Sequence, residues 1–591
     1  MASNPPSANP AAPQPAPASS ITLVALLVLA ATAFAIYLFK TNPSSGIWSQ
    51  SYNPMGQWGI STFLAALPIV VLLGAIAVLR VKAHVAACAG LITALAVAFL
   101  AFHMPVRLAL TAAVYGAGYG LFPVCWIILP VIFLYDLTIK TGAFVTLQES
   151  LTNITSDSRL QLLLIAFALG AFFESTSGFG TPVAVCGAIL ISLGFRPLQA
   201  AGLSLLANTA PVAFGALGTP IVALQGVTGL DLLLLTRTTS IILVLFCLIV
   251  PFWVIWVYAG FRRMLEVWPA ILVAGVTFAS TQLLMAIFFG PTLVGIVASC
   301  STILALVVFF RFWKPKCTLN AAGQDITNQQ QTSYDHSTAK IFKAWMPWLI
   351  LSAVVFVWGI PQLSKSMNAI TTLKFNVPGL NNLIQRVPPV VARPTFEPAV
   401  FTLNWLTATG TGILVAALIA GLLMGLGPLT LFKCFVRTLF NIRFAVITIA
   451  AMMAIGYITR YCGLDATLGL AFARTGSLYP FFGSLIGWLG VASTGSDTSS
   501  NVLFGSLQVM TARQIGVSPV LMASANSAGG VMGKMIAAPS IVVASTATRT
   551  YGQEGSILRY VFLHSLALAC LVGLVVYLMA YVAPFTALVA K

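Results

Sequence analysis

Residues 175–182 read STSGFGTP and residues 493–500 read STGSDTSS. Each stretch interrupts an apolar pattern with glycine and hydroxyl side chains, and the offset between them is 493 − 175 = 318 positions. The same offset carries Asn208 onto Asn526. The chain is therefore an internal duplication. In a membrane protein, paired interruptions of this kind indicate a transport site, because broken helices present their ends to a solute near the midplane.

The composition places the chain in a membrane. Of 591 residues, 59% are apolar and 7% are charged, whereas a soluble domain has roughly 25% charged residues. The pattern predicts an all-α polytopic membrane protein with about 12–14 transmembrane helices. We expect two inverted repeats with broken or re-entrant helical hairpins. The longest apolar segments, each near the length that spans a bilayer, are 61–79, 84–102, 121–137, 238–259, 268–288, 293–312, 344–360, 403–426, 443–457 and 561–582.

The changes in composition divide the chain into five parts. Residues 1–20 are uncharged and rich in proline, alanine and serine, a composition that predicts disorder. Residues 21–45 contain an apolar run without a basic leader, which predicts an extra N-terminal transmembrane helix. Residues 46–312 form the first transporter half, 313–343 a polar cytoplasmic linker, and 344–591 the second half.

The net charge of +17 indicates what the protein contacts. Basic residues cluster in the links that we place on the cytoplasmic side, where they face anionic lipid. No run of five basic residues occurs, so we expect no nucleic-acid partner. The expected partners are the lipid bilayer, a proton and a small carboxylate, and the expected location is the cell membrane, crossed several times. A monomer and a homodimer both remain open.

The break in the first half carries one carboxylate. Glu174 precedes the glycine-rich turn, and a carboxylate at membrane depth is expensive unless it is paired, protonated or hydrated. It is therefore either a proton-coupling site or a structural cap of a neighbouring helix end. The polar and glycine residues around this break are the predicted substrate-binding residues of the first half: Ser175, Ser177, Gly178, Gly180, Thr181, Asn208 and Thr209.

The break in the second half is more polar. Residues 494–501 contain five hydroxyl side chains, an amide and Asp497, which is the second candidate for proton coupling. Hydroxyls and amides can hold a small hydroxy-carboxylate, and helix N-termini favour its charge. Lys534 is a candidate counter-charge, and we expect helix ends at Gly529 and Gly530. The predicted substrate-binding residues of this half are Thr494, Ser496, Ser499, Asn501, Asn526, Ser527, Gly529, Gly530 and Lys534.

Other functional classes fit the sequence poorly. A membrane enzyme needs a nucleophile with a base, or metal ligands, but the chain has no HExxH, GxSxG or Cys/His cluster. An ATP-driven pump lacks its phosphate-binding loop here, and an anion channel would be expected to show a repeated filter motif. The nine cysteines show no ligand spacing. We therefore expect no enzymatic activity, cofactor or metal.

The chain resembles the L-lactate permease family over roughly residue 46 to the C-terminus. The resemblance lies in segments that are long and specific. It departs from the family at residues 175–177, where members usually carry Gly-Ala-Ala, and at residues 537–539, where they carry Ser-Pro-Gln. The segments that carry it are SYNP at 51–54, VYG at 114–116, GFG at 178–180, PVA at 182–184, NTAPVAFG at 208–215, TGSDTSSN at 494–501, GGV at 529–531 and GKMI at 533–536.

The resemblance implies proton-coupled import of L-lactate and related 2-hydroxy-monocarboxylates such as glycolate and D-lactate. The two departures leave the preferred acid open. A further, fold-level resemblance is to the ion transporter superfamily, whose sodium/dicarboxylate members carry Asn-Thr or Asn-Ser at hairpin tips. Asn208-Thr209 and Asn526-Ser527 match that pattern. A sodium-coupled carboxylate symporter is therefore the alternative.

Overall fold

The computed structural model describes residues 46–77, 81–152, 154–176, 178, 180–326, 338–358, 361–391, 393–550 and 553–589. The predicted disordered N-terminus (1–20) and extra helix (21–45) lie outside the described residues. So do Ser177 and residues 327–337 of the predicted linker. The division into five parts stays a prediction.

The first half consists of helices, several of which are interrupted. A π-helical turn at Gly120–Cys125 separates α3 from α4, and another at Leu162–Leu169 joins α6 to α7. A 3-10 turn at Val212–Phe214 precedes α10. The helices are α1 Trp58–Ala77, α2 Ala83–Leu100, α3 Val106–Tyr119, α4 Trp126–Lys140, α5 Ala143–Thr152, α6 Ser158–Gln161, α7 Gly170–Thr176, α8 Thr181–Ser192, α9 Pro197–Ala207, α10 Gly215–Thr228, α11 Leu232–Ala259, α12 Phe261–Leu265, α13 Trp268–Phe288 and α14 Val294–Phe312.

The second half repeats this pattern with longer helices. Its 3-10 turns lie at Gly476–Leu478, Lys534–Ile536 and Phe585–Leu588. The helices are α15 Thr338–Trp358, α16 Pro361–Thr371, α17 Thr409–Leu423, α18 Pro428–Cys462, α19 Leu464–Ala473, α20 Tyr479–Thr494, α21 Asp497–Ile515, α22 Pro519–Gly533, α23 Ala538–Ala547 and α24 Glu554–Tyr581.

The described helices confirm a polytopic all-α membrane fold. Eight helical spans are long and apolar enough to cross a bilayer, two of which run through α3 with α4 and through α6 with α7. Ten spans result if two bent helix pairs each count as one. The bent pairs are Pro197–Ala207 with Val212–Thr228, at 65°, and Pro519–Ile536 with Pro539–Ala547, at 42°. Five shorter apolar helices accompany them. The total of 12–14 crossings stays a prediction.

The helix boundaries confirm the duplication. Helix α7 ends at Thr176 and α20 ends at Thr494, and 494 − 176 = 318. The backbone of the first half is non-helical at residues 216–218. Adding 318 to these numbers gives residues 534–536, which form a 3-10 turn in the second half. Helices α11 and α24, which follow the two bent pairs, both contain 28 residues. The inverted orientation of the halves stays a prediction.

In the described part of the chain, five short strands form two small sheets, together called the strand layer. They are β1 Trp48–Ser49, β2 Leu373–Asn376, β3 Ile384–Arg386, β4 Thr395–Phe396 and β5 Val400–Leu403. Strand β3 pairs in parallel with β1 and antiparallel with β4, and β2 pairs antiparallel with β5. The strands therefore join the start of the described chain to the link between α16 and α17.

One buried carboxylate ties these strands to the helices. Glu397 forms ion pairs with Arg386 at 2.8 Å and with Arg460, near the end of α18, at 2.7 Å. Arg460 Nη1 also donates a hydrogen bond to the carbonyl of Val227 in α10, at 3.1 Å. Arg460 therefore links the strand layer to the bent helix pair of the first half.

Glycines allow helices α20 and α22 to pack at backbone contact. A Cβ atom on Gly487 of α20 would collide with the carbonyl oxygen of Asn526, and one on Gly529 of α22 would collide with that of Ser484. Helix interfaces in membranes use small residues in this way. The second-half motif therefore rests on a close helix pair.

We expect Gly487→Ala to destabilise the protein by about 1–3 kcal/mol, because the added methyl group overpacks this contact. The measurement is the thermal unfolding temperature in detergent. Gly74→Ala in α1 is the matched control, since a Cβ atom there meets no other atom within 4 Å. Equal unfolding temperatures for the two variants would contradict the close-packing assignment.

Candidate functional site

The two motifs form breaks between helices, as predicted. In the first half, α7 ends at Thr176 and α8 begins at Thr181, with Gly178 and Gly180 at φ angles of +59° and +85°. In the second half, Gly495 ends α20 at a φ of +75°, and α21 begins two residues later. Residues with a side chain rarely adopt such positive φ angles, so glycine at these positions permits the sharp reversals of the chain.

The breaks face each other because each half packs against the other in the same way. Helix α8 of the first half packs against α23 of the second, and α21 of the second half packs against α10 of the first. Positions 215–228 of α10 correspond by the offset of 318 to 533–546, which cover most of α23. The two contacts are therefore equivalent under the internal repeat.

Two cavities meet at the breaks. The smaller, about 50 Å³, contacts both carboxylates, Glu174 and Asp497, together with Gly178. The larger, about 210 Å³, contacts Gly180 and the hydroxyl residues Thr494 and Ser499. Both share Gly495, Ser496 and Lys534. Lys534 is therefore placed between a carboxylate chamber and a larger chamber.

An ion pair joins the two halves at this point. Lys534 Nζ lies 3.6 Å from Glu174 Oε1, and both side chains are buried, at 8% and 3% exposed. Glu174 Oε2 accepts a hydrogen bond of 2.9 Å from Asn208 Nδ2. Gly215 leaves room for this carboxylate, because a Cβ atom there would lie 2.8 Å from Oε1. The pair is the charged contact between the breaks.

Asp497 has a different environment. Its Oδ2 atom accepts hydrogen bonds from Ser527 Oγ at 2.6 Å and from Asn501 Nδ2 at 3.3 Å. Within the described part of the chain, Asp497 Oδ1 has no hydrogen-bond donor, although the residue is only 2% exposed. A buried acceptor without a donor is costly. A proton or a cation at this oxygen would remove that cost.

A chain of side-chain amides continues from Asp497 into the protein. Asn526 Nδ2 donates to Asn501 Oδ1 at 3.0 Å, and Gln508 Nε2 donates to Asn526 Oδ1 at 3.1 Å. Tyr479 donates its hydroxyl hydrogen to Gln508 Oε1 at 2.9 Å. Asn501 Nδ2 also donates to the carbonyl of Pro220 in the other half, at 3.2 Å. These groups fix the position of Asp497.

Two helix N-termini point to the larger cavity. Gly180 precedes the first residue of α8, and Ser496 caps α21 by accepting a hydrogen bond from the Ser499 amide at 3.3 Å. The N-terminus of a helix carries partial positive charge and free N–H groups. Lys534 also lines this cavity, so three groups that attract negative charge border it.

Several predicted residues lie behind the cavity walls. Ser175 Oγ donates to the Ala171 carbonyl and Thr209 Oγ1 to the Leu206 carbonyl, so both hydroxyls bond their own helices. The Thr181 amide donates to the Gly178 carbonyl within the first break. The prediction of helix ends at Gly529 and Gly530 is wrong, because both lie inside α22. They serve packing instead: a Cβ atom on Gly530 would lie 2.5 Å from Asp497 Oδ1.

One wall of the larger cavity gives no signal in the sequence. It consists of Ala445, Thr448, Ile449 and Met452, all within the uninterrupted helix α18. Pro539, within the departure at residues 537–539, also lines it. Among the described residues, no group of three or more His, Cys, Asp or Glu side chains could hold a metal ion.

The model of the L-lactate permease family matches residues 61–583. This chain belongs to that family. It is 42% identical to the glycolate permease GlcA of Escherichia coli (strain K12), covering 90% of this chain and 98% of that protein. It is also 42% identical to the L-lactate permease of Salmonella typhimurium, covering 91% and 98%, and to that of Bacillus subtilis, covering 90% and 99%.

The permease is less similar to solved structures. It aligns with MtrF of Neisseria gonorrhoeae at a TM-score of 0.43 and 10% identity, covering 80% of this chain and 84% of that one. The family assignment and the apolar helices together make the chain a multi-pass membrane protein and a member of a permease family.

We expect the amide chain behind Asp497 to contribute to the stability of the protein. Gln508→Leu removes three hydrogen bonds, with Tyr479, Asn526 and the Gly483 carbonyl. Each buried partner left unpaired costs about 1–3 kcal/mol, so we expect a lower unfolding temperature in detergent. Gln514→Leu, on the same helix but with a single exposed hydrogen bond, is the control. If both variants unfold at the wild-type temperature, the amide chain is not structural.

Proposed function

We propose that this permease imports L-lactate and related small 2-hydroxy-monocarboxylates, including glycolate and D-lactate, across the cell membrane by proton symport. One observation carries the proposal. Lys534 contacts the anion-binding cavity on one side and forms an ion pair with Glu174 on the other. The same ammonium group is thereby available to the substrate and to a titratable carboxylate. The names of the relatives support lactate and glycolate as substrates.

The larger cavity supplies what a 2-hydroxy acid needs. Its carboxylate is attracted by Lys534 and by the N-termini of α8 and α21. The hydroxyl groups of Ser496 and Ser499 lie at the same break and can exchange hydrogen bonds with the 2-hydroxyl group. Thr494 Oγ1 instead donates to the Gly490 carbonyl of its own helix at 2.7 Å. We therefore assign substrate recognition to the larger cavity and proton coupling to the smaller one.

Exchange of ion-pair partners couples the proton to the acid. While Glu174 is ionised, it competes with the substrate carboxylate for Lys534. A proton on Glu174 neutralises that competitor, so the ammonium group can pair with lactate. Because proton and anion each favour the binding of the other, they bind together. Asp497 is the second carboxylate of the chamber and the second candidate for the proton.

The net charge of the site supports this scheme. With all three groups ionised, Glu174, Asp497 and Lys534 carry a net charge of −1. Adding one proton and one lactate anion leaves that charge unchanged. A change in buried net charge is costly in a membrane. Because the loaded and the empty site carry the same charge, the protein can change conformation in both states. Symport with one proton is therefore electrically balanced.

The donor-free Asp497 Oδ1 atom also favours a second candidate function, sodium-coupled carboxylate symport. Broken helices in transporters coordinate Na⁺ through oxygen atoms. Purified protein in liposomes, with pH and sodium gradients imposed separately, distinguishes the two. Lactate accumulation driven by an inward proton gradient supports the proposal. Accumulation that requires a sodium gradient supports the alternative, and accumulation with neither gradient contradicts both.

We expect Glu174→Gln to abolish proton-driven lactate accumulation while lactate exchange across the liposome membrane continues. The amide keeps the size of the side chain but cannot carry the coupled proton. In the unmodified protein, lactate affinity should rise as the pH falls, since protonation of Glu174 frees Lys534. In the variant that pH dependence should disappear.

Asp497→Asn is the matched comparison for this experiment. If it loses accumulation while Glu174→Gln keeps it, the proton is carried by Asp497 and the exchange of ion-pair partners is incorrect. Normal accumulation in both variants would contradict coupling at this chamber altogether.

A second experiment tests recognition of the acid. Lys534→Met should weaken lactate and propionate binding alike, by about 10–100-fold, because both share the carboxylate and a charged hydrogen bond contributes about 1.5–3 kcal/mol. Lactate should bind more tightly than propionate in the unmodified protein. Ser499→Ala should narrow that difference, because a site that hydrogen-bonds a hydroxyl discriminates against the analogue lacking it.

The measurement is inhibition of labelled-lactate uptake by each acid. Lys433→Met, an exposed lysine at the start of α18, is the control and should leave both affinities unchanged. Full lactate affinity in Lys534→Met would overturn the assignment of the carboxylate. Equal inhibition by lactate and propionate in the unmodified protein would overturn the assignment of the hydroxyl.

A further inference from the structure

The larger cavity is lined by both polar and apolar side chains. The polar ones include Ser496 and Ser499 at the second-half break and Lys534 in the turn that follows α22. Ile449 and Met452 from α18 and Val543 from α23 form an apolar part of the lining. A ligand held by its carboxylate and adjacent hydroxyl group at the polar side chains can place the remainder of its skeleton against these apolar residues.

The cavity is larger than lactate requires. The cavity volume is about 210 Å³, against about 50 Å³ for the carboxylate chamber. About 10–15 Å³ of such volume holds one water molecule, and the methyl side chain of lactate is of similar size. Space therefore remains beyond the methyl group, and Ile449, Met452 and Val543 offer hydrocarbon surface to it.

An apolar wall selects an apolar group. A second carboxylate or an ammonium group there would lose its hydration without gaining a partner, whereas an alkyl group would gain from burial. The apolar residues of the lining come from two separate helices, α18 and α23. They therefore limit how long and how wide a side chain can be.

We propose that Ile449, Met452 and Val543 form the side-chain subsite of this permease, and that it accepts 2-hydroxy-monocarboxylates with ethyl and propyl side chains as substrates. The inference rests on the proposed function, because it takes the carboxylate to lie at Lys534. It adds a substrate class, 2-hydroxyalkanoates longer than lactate, and names the residues that set its upper limit.

The test uses purified protein in liposomes with an inward proton gradient. The inhibition constants of glycolate, lactate, 2-hydroxybutanoate and 2-hydroxypentanoate against labelled-lactate uptake are compared. Each buried methylene contributes enough free energy for about a fourfold gain in affinity, so the constants should fall stepwise along the series. Malate, which carries a second carboxylate, should inhibit weakly. Direct uptake of 2-hydroxybutanoate, measured by mass spectrometry, shows whether this acid is transported or only binds and inhibits.

Two neighbouring valines supply a matched pair. Val543 lines the cavity, whereas Val542 does not line it and is 53% exposed. Val543→Leu should raise the ratio of the 2-hydroxypentanoate constant to the glycolate constant about tenfold, because the added carbon occupies the space of the longer chain. Val542→Leu should leave the ratio unchanged. Ala445→Leu, which lines the same cavity from α18, should have the same effect and replaces Val543→Leu if that variant is poorly produced.

The outcomes separate this inference from the proposed function. Absence of lactate uptake in the unmodified protein overturns the proposed function itself. Normal lactate uptake with no inhibition by the longer acids, or with inhibition that does not change along the series, overturns the subsite alone. Identical ratios in Val543→Leu, Ala445→Leu and Val542→Leu also overturn it. Uptake of 2-hydroxybutanoate with the expected shift in ratio supports it.

Discussion

The ion pair between Lys534 and Glu174 is the constraint on which the arrangement of this permease depends. An ammonium group buried in a membrane protein needs a carboxylate close by, and here the two come from different halves of the chain. Their approach requires Gly215, where a Cβ atom would lie 2.8 Å from Glu174 Oε1. It also brings the first-half break close to the turn at residues 534–536. Backbone interrupted at membrane depth is tolerated only where it is buried or lines a cavity, and the facing breaks satisfy both conditions.

The surroundings of the pair keep it in place without filling the cavities. Glycine contacts bring α20 and α22 together at Gly487 and Gly529, and the amide chain through Asn501 and Gln508 holds Asp497. The side-chain amides of Asn501, Asn526 and Gln508 bond protein partners, and none of the three lines the larger cavity. Ser496 and Ser499 of the break do line it. The amides therefore support the break from behind, while these two serines border open volume.

The sequence is informative where polar residues interrupt apolar runs. Glu174, Asp497 and Lys534 stand out for that reason, and the offset of 318 relates the two breaks to each other through residue spacing alone. The sequence predicts a helix end at Gly529, but this residue lies inside α22, because glycine also serves close helix packing. Met452 and its neighbours could not be found, since apolar residues within an unbroken helix give no local signal of a cavity. The strand layer is also missed, because its strands have between two and four residues.

The link through Arg460 has a mechanical consequence. Its guanidinium group holds the Val227 carbonyl of α10 at 3.1 Å and Glu397 of the strand layer at 2.7 Å. Alternating access in transporters with repeated halves moves one bundle against the other. A tilt of α10 that leaves the strands in place must stretch these bonds, whereas a tilt that carries the strands along preserves them. The contacts of Arg460 therefore couple any tilt of α10 to the position of the strand layer.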